Sequence, residues 1–169
     1  DYIQSNMRYV SVAYGLGGLQ TMEAEETYKL GYGDCKALTH FMCAALKKMG
    51  VESFPALVYA GEEKAFIDPR RPSNAFNHVI LCIPTENDTI WAECTSNRLP
   101  LNYLSDFTDD RYVMLMTPTG GKLTRTPAYS SDENRAERII SVDLSPTGSA
   151  EIKMEGMYHK LAIDKSLFM

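Results

Sequence analysis

The sequence lacks the spacings that mark common metal sites. Its four cysteines are Cys35, Cys43, Cys82 and Cys94, and no two of them form a C-x-x-C pair. That pattern argues against a zinc ribbon. The chain also has no D-x-D-x-D-G loop of the kind that binds calcium. We therefore expect no metal and no cofactor, and we interpret the last three cysteines as reduced, partly buried thiols.

The chain also lacks an excess of positive charge and a long apolar run. It has 17 basic and 22 acidic residues, for a net charge of −5, with no basic patch. We therefore expect no nucleic-acid partner. This fragment contains no run of 18 apolar residues, the length that could form a membrane span. The chain begins at Asp1 rather than Met and has no signal peptide, so we expect a piece of a longer protein whose flanking domains are its partners.

Length and composition are typical of one globular domain with an additional segment. The 169 residues are 44% hydrophobic, enough for a sizeable core. We assign residues 1–130 to one domain. Residues 138–144 and 150–158 largely alternate apolar and polar side chains around a Ser-Pro-Thr-Gly turn. We expect residues 131–169 to be a linker and a β-hairpin from a truncated following β domain.

Residues 31–38 place a cysteine where a loop becomes a helix. The apolar side chains downstream recur with helical spacing and form one stripe. Its members are Leu38, Phe41, Met42, Ala45, Leu46 and Met49. Asp34 is the expected N-cap, and Gly50 closes the far end. The sequence therefore predicts a helix with Cys35 in its first turn.

A cysteine in a first helical turn can be a nucleophile. Unpaired N–H groups and the helix dipole there favour the thiolate form of Cys35. The neighbouring carboxylate of Asp34 opposes this effect, so a histidine must supply part of it. The simpler interpretation is that Cys35 is a small buried apolar residue, as most free cysteines are.

Residues 76–84 and 89–95 are predicted to form a β-hairpin. Both are apolar runs rich in β-branched residues, and a polar turn joins them. A loop centred on that turn pairs Ile80 with Glu93, which makes His78 and Glu93 diagonal neighbours on one face. Such neighbours lie about 7–8 Å apart, within reach of long side chains. A slip of one residue would put them on opposite faces.

The same register bears on the cysteines and on the rest of the sheet. It places Cys82 opposite Trp91 and puts the thiol of Cys94 on the other face, so we expect no disulfide between the two cysteines. Residues 54–59 and 112–117 are predicted to be further strands, the second one ended by Pro118 and a Gly-Gly pair.

Three segments resemble the core of the transglutaminase-like superfamily: GYGDCKALTHFMCAALKKMGV, FNHVILCIP and WAECTS. The resemblance covers most of residues 1–130 and is greatest to bacterial multidomain proteins that carry such a domain after a β-rich one. It implies Cys35 as nucleophile and His78 as base. Glu93 stands where that family usually has Asp, so its side chain is longer by one methylene.

The resemblance also implies a fold and a location. The fold would be α+β and papain/transglutaminase-like, with the nucleophile helix packed on an antiparallel β-sheet. The location would be the bacterial periplasm or cell envelope.

Three further residues could assist the site. Asp68 could replace Glu93 as the third member, although an Asp-Pro turn also explains it. Gln20 could donate to an oxyanion, as a glutamine does in papain-like enzymes, and the main-chain N–H of Cys35 is the alternative donor. Trp91 could form a wall of the cleft near the histidine or lie in the core.

We expect thiol-dependent acyl transfer on peptide or carboxamide bonds through a Cys35–His78–Glu93 triad. The acyl group would pass to water, as in a peptidase or amidase, or to an amine, as in a transglutaminase, and the partner would be a peptide or protein substrate. The alternative is a catalytically inactive scaffold or peptide-binding module of a multidomain cell-envelope protein. A third class is a metal-dependent hydrolase that uses His78, Glu93 and a cysteine.

Overall fold

The computed structural model describes residues 2–71 and 73–162. The chain divides into two compact units, Asp1–Pro127 and Ala128–Met169. The helices of the described residues are α1 (Tyr2–Asn6), α2 (Ala24–Leu30) and α3 (Cys35–Lys48), with a short 3-10 helix at Gly15–Gly18. The strands are β1 (Arg8–Tyr9), β2 (Tyr32–Gly33), β3 (Phe54–Val58), β4 (His78–Pro84), β5 (Thr89–Ala92), β6 (Tyr112–Thr117), β7 (Gly120–Arg125), β8 (Ala136–Leu144) and β9 (Ala150–Tyr158).

The first unit is built on a five-stranded antiparallel sheet. Its strand order is β5-β4-β3-β6-β7. Strand β4 carries a continuous run of buried side chains from Val79 to Cys82. Such a run, rather than an alternating one, is typical of a strand covered on both faces. The two strands β1 and β2 pair in parallel, apart from this sheet.

Two apolar clusters cover the two faces of the sheet. One joins α3 to β4 and contains Leu38, Leu81 and Cys94, with Met7, Met42, Cys43, Leu46, Ile83 and Ala92 packed against it. The other contains Ala56, Val58, Ala60, Ile80, Cys82, Trp91, Leu104, Val113 and Leu115. Helix α3 therefore packs against one face of the sheet, and the loop that contains Leu104 helps to cover the other.

The second unit is a β-hairpin with one apolar face. Strands β8 and β9 pair from Ala136–Tyr158 to Leu144–Ala150. The pairing puts five large apolar side chains on the same face, and all of them are exposed: Ile140, Val142, Leu144, Ile152 and Met154. The turn is closed by a hydrogen bond from Ser145 N to Ser149 O (2.8 Å).

The mixed α/β class and the register of the β4–β5 hairpin are confirmed. Leu81 pairs with Ala92 and Cys82 pairs with Trp91, as the sequence predicts. Both strands are shorter than the predicted runs of residues 76–84 and 89–95: β4 begins at His78 and β5 ends at Ala92. Within the described residues, no helix is long and apolar enough to cross a membrane.

Candidate active site

Cys35 is the first residue of α3, and the residues before it fix that position. The Asp34 carboxylate accepts a hydrogen bond from Ala37 N at 3.0 Å, which is the N-cap arrangement. At Gly33, an added Cβ would lie 2.7 Å from the Ala37 Cβ and 3.4 Å from Thr27 Cγ2. The chain can turn into the helix here only because position 33 carries no side chain.

Lys36 compensates the charge of the capping residue. Its Nζ forms an ion pair with the second oxygen of Asp34, and both side chains are largely buried. The carboxylate beside Cys35 is thus already bound by an ammonium group and a main-chain N–H. Its repulsion of a thiolate at Cys35 is smaller than that of a free carboxylate.

His78 is the first residue of β4, and its neighbour Asn77 anchors the strand there. The Asn77 side chain accepts from Ala60 N at 2.7 Å and donates to Ala60 O at 2.9 Å. Its own N–H donates to Val58 O at 3.1 Å. Because these bonds continue the β3–β4 ladder beyond its last pair, the backbone that carries the imidazole is held in place.

Glu93 follows directly after β5 and binds the imidazole. His78 Nε2 lies 2.8 Å from Glu93 Oε2, and the two side chains are 11% and 6% exposed. The other oxygen, Oε1, accepts from Thr95 Oγ1 at 2.6 Å and from Thr95 N at 3.0 Å. Both carboxylate oxygens are therefore bound, and the carboxylate has a fixed orientation.

The Cys35 side chain interacts with the same imidazole. Burial lowers the pKa of His78, but hydrogen bonds with Cys35 and Glu93 and the charges of both groups outweigh it. The pKa of His78 rises from 6.5 to about 9. Because Nε2 binds Glu93, Nδ1 is the ring nitrogen left for the sulfur.

The pKa of Glu93 shifts in the opposite direction. Burial raises this pKa. The hydrogen bond and charge of His78 and the two hydrogen bonds from Thr95 lower it by more, so the pKa of Glu93 lies below 4.5. Glu93 is therefore ionised at neutral pH, and His78 is protonated beside it. The hydrogen bond to Glu93 fixes the orientation of the His78 imidazole.

The other three thiols lie in unreactive surroundings. Burial raises the pKa of Cys43, raises that of Cys82 to about 11 and raises that of Cys94 to about 12. Cys82 belongs to the apolar cluster on one face of the sheet and Cys94 to the cluster on the other. All four cysteines are free, in agreement with the expected absence of a disulfide between Cys82 and Cys94.

The three accessory residues proposed from the sequence have different surroundings. Asp68 is bound by Arg70, through both the side chain and the main-chain N–H, in a surface loop. Gln20 is exposed and lines a cavity of about 220 Å³ that also borders Asp34. Trp91 is only 4% exposed and belongs to the core. Of the carboxylates considered for the third position, Glu93 is therefore the one that binds His78.

Sequence reasoning missed two residues that contact the His78–Glu93 pair. Thr95 lies two residues after Glu93, and its hydroxyl could have been recognised as a partner for that carboxylate. Phe107 contacts the His78 ring edge-on, with ring centroids 6.1 Å apart and planes at 69°. It comes from a loop that shows no periodic pattern, so no sequence signal pointed to it.

The site contains no recognisable metal centre in the residues described. Across residues 2–71 and 73–162, no group of three or more His, Cys, Asp or Glu side chains is placed to hold a metal ion. Comparison with known proteins adds no identification. No model of a protein family matches this chain, and neither does any curated protein or solved structure.

Proposed function

We propose that this chain is a thiol acyltransferase or hydrolase domain with a papain/transglutaminase-like fold. Cys35 is the nucleophile, His78 the general acid and base, and Glu93 the residue that orients the imidazole. The observation that carries the proposal is the His78 imidazole, which binds Glu93 at 2.8 Å and interacts with the Cys35 side chain.

The charge state of His78 supports this role. With a pKa of about 9, the imidazole is positively charged at pH 7. A cation beside a thiol at a helix start favours the thiolate form of that thiol. The proposed resting state is therefore a Cys35 thiolate beside a His78 imidazolium, with Glu93 stabilising the positive charge.

The reaction follows from that ion pair. The Cys35 sulfur attacks the carbonyl carbon of a peptide or carboxamide, and His78 gives its proton to the leaving nitrogen as the C–N bond breaks. An acyl-enzyme thioester remains. Neutral His78 then takes a proton from the incoming water or amine, which attacks the thioester carbonyl. The C–S bond breaks, and the Cys35 thiolate and the His78 imidazolium are restored.

The start of α3 offers donors for the oxyanion formed in the first step. The first N–H groups of a helix have no acceptor within the helix. Asp34 already binds the N–H of Ala37, whereas those of Cys35 and Lys36 precede it in the same turn. We assign the main-chain N–H of Cys35 as the oxyanion donor in preference to Gln20.

The longer side chain of Glu93 does not argue against catalysis. The superfamily that the sequence resembles usually has Asp at this position, but here the longer side chain carries a carboxylate that reaches Nε2 at normal hydrogen-bond length. The envelope or periplasmic location and the peptide or protein substrate are also part of this proposal, and they rest on the resemblance in sequence.

Thiol labelling tests the proposal directly. The full chain is treated with iodoacetamide at pH 6, and the labelling rate of each cysteine is followed by peptide mass spectrometry. We expect Cys35 to react at least about 10-fold faster than Cys43, and His78→Ala to slow it by about 10-fold or more. The His159→Ala variant, which changes a histidine in the other unit, should label like the wild type.

Two results would overturn the proposal in favour of a non-catalytic module. One is a Cys35 rate no higher than that of Cys43. The other is a Cys35 rate that does not respond to His78→Ala. As a second measurement, incubation with p-nitrophenyl acetate should leave an acetyl group on Cys35 in the wild type but not in His78→Ala.

A further inference from the structure

Phe107 is an exposed aromatic residue on a firmly held loop. The residue is 48% exposed, and its ring lies edge-on to His78. The next two residues, Thr108 and Asp109, are buried. Phe107 therefore presents a large, partly exposed apolar side chain directly beside the His78 imidazole.

Arg111 holds the backbone that presents this ring. The guanidinium is buried and donates to Tyr59 O at 2.8 Å, to Glu63 O at 2.9 Å and to Asp106 O at 2.7 Å, as well as to Gly61 O. Three of these carbonyls belong to the loop after β3, and the fourth, that of Asp106, directly precedes Phe107 in a second loop.

The two loops are also joined directly. Gly61 N donates to Phe107 O at 3.1 Å. Thr108 N and Asp109 N both bond to Ser105 O, at 3.0 and 2.9 Å. The main chain of Phe107 is thus fixed at its carbonyl and on either side, and the ring is presented by a rigid frame rather than by a free loop.

We infer that Phe107 is the apolar wall of the acyl-donor site and selects substrates with an apolar side chain beside the reacting carbonyl. This inference rests on the proposed function. An acyl group attached to Cys35 must pass close to His78, and Phe107 borders His78 with half of its surface open. Apolar contact there lowers the free energy of a donor whose side chain covers the ring, and polar donors gain nothing from it.

The test compares two alkylating probes that carry the same reactive group. One is 2-chloroacetamide and the other is N-benzyl-2-chloroacetamide, and each Cys35 rate is divided by the rate of the same probe with glutathione. We expect the corrected benzyl-to-amide ratio to exceed one in the wild type. In Phe107→Ala it should fall by about three-fold or more, because the apolar contact is lost, and Phe107→Leu should retain most of it.

Phe66 supplies the matched control. It is a phenylalanine of the same unit and is 91% exposed. It lines a cavity together with Lys64 and Arg125. Phe66→Ala should leave the ratio unchanged. The inference is overturned if Phe107→Ala leaves the ratio unchanged, or if it slows both probes equally, because the ring would then only position His78.

The ratio separates this inference from the proposed function. If the labelling rate of Cys35 does not change in His78→Ala, the acyl-transfer role is contradicted, whichever probe is used. A Cys35 that depends on His78 but shows the same probe ratio in Phe107→Ala leaves the acyl-transfer role intact and removes only the selectivity.

Discussion

Glu93 binds His78 from just beyond the end of its strand, with Oε2 at 2.8 Å from Nε2. Strand β5 ends at Ala92, so Glu93 lies outside the β-ladder, and Thr95 N donates to its other oxygen, Oε1, at 3.0 Å. The Glu side chain, longer than that of Asp by one methylene, thus reaches the imidazole from a position beyond the last pair of the β4–β5 ladder.

Shortening that side chain should weaken the site, although Asp is the usual residue in the superfamily that the sequence resembles. In Glu93→Asp the carboxylate retracts from Nε2, so the pKa of His78 should fall from about 9 toward its ordinary value of 6.5. The measurement is an NMR titration of the imidazole signals. Glu86→Asp, in the exposed turn of the same hairpin, is the matched control and should leave the titration unchanged. A His78 pKa equal to that of the wild type would show that the methylene is not needed.

Stability should fall as the pH rises through the His78 titration. The folded-state pKa of about 9 lies above the ordinary 6.5, so the stabilisation is fully present below pH 6.5 and is lost as the pH rises through about 9. The difference corresponds to at most about 3 kcal/mol. The pKa of Glu93 is lowered instead, so its contribution is present above about pH 4.5 and is lost in acid.

Denaturant unfolding between pH 6 and pH 10 measures this dependence. The fluorescence of Trp91 reports on the first unit, because it is the single tryptophan and lies in the core of that unit. His78→Gln should remove most of the slope between pH 6.5 and pH 9. The same slope in both proteins would mean that another group titrates there.

Removing the N-cap of α3 should destabilise the first unit. Asp34→Ala removes the acceptor of the Ala37 N–H and the partner of Lys36, and we expect a loss of about 1 kcal/mol or more in the free energy of unfolding. Asp34→Asn keeps an acceptor for the N–H and should lose less. Denaturant unfolding followed by Trp91 fluorescence ranks the two, and equal losses would assign the effect to the ion pair alone.

Arg111 should be among the residues on which the first unit most depends. Arg111→Met leaves four carbonyl groups without this donor, so we expect a loss of about 3 kcal/mol or more, measured by the same unfolding experiment. Arg125→Met is the matched control, because that side chain is exposed and pairs with Asp110 at the surface. It should cost less than about 1 kcal/mol. Similar losses in both variants would contradict the role of Arg111 as the link between the loops.

Local patterns predicted the helix and the hairpin well. The start of α3, its cap at Asp34 and the pairing of Cys82 with Trp91 follow from periodicity and turn chemistry over short stretches of chain. The approach of His78 to Glu93 follows in turn from that pairing. These features needed no knowledge of the rest of the fold.

Features that depend on distant parts of the chain were missed. Strand β7 begins with Gly120 and Gly121, which read as the end of a strand, yet Gly121 packs against the Met114 side chain in the paired strand β6. Phe107 lies against His78 in a loop that Arg111 ties to a segment far away in sequence. Contacts of this kind are set by tertiary packing and leave no periodic signal.

The absence of a side chain at Gly33 has a consequence for any attempt to redesign this protein. Even alanine would bring a methyl group to 2.7 Å from the Ala37 Cβ, in the turn that carries the sulfur. A library of all amino acids at this position should yield almost exclusively variants with displaced or unreactive thiols, although Gly33 takes part in no chemical step. The double variant Gly33→Ala/Ala37→Gly should recover a reactive thiol, since the contact that is too short joins the two methyl groups at these positions.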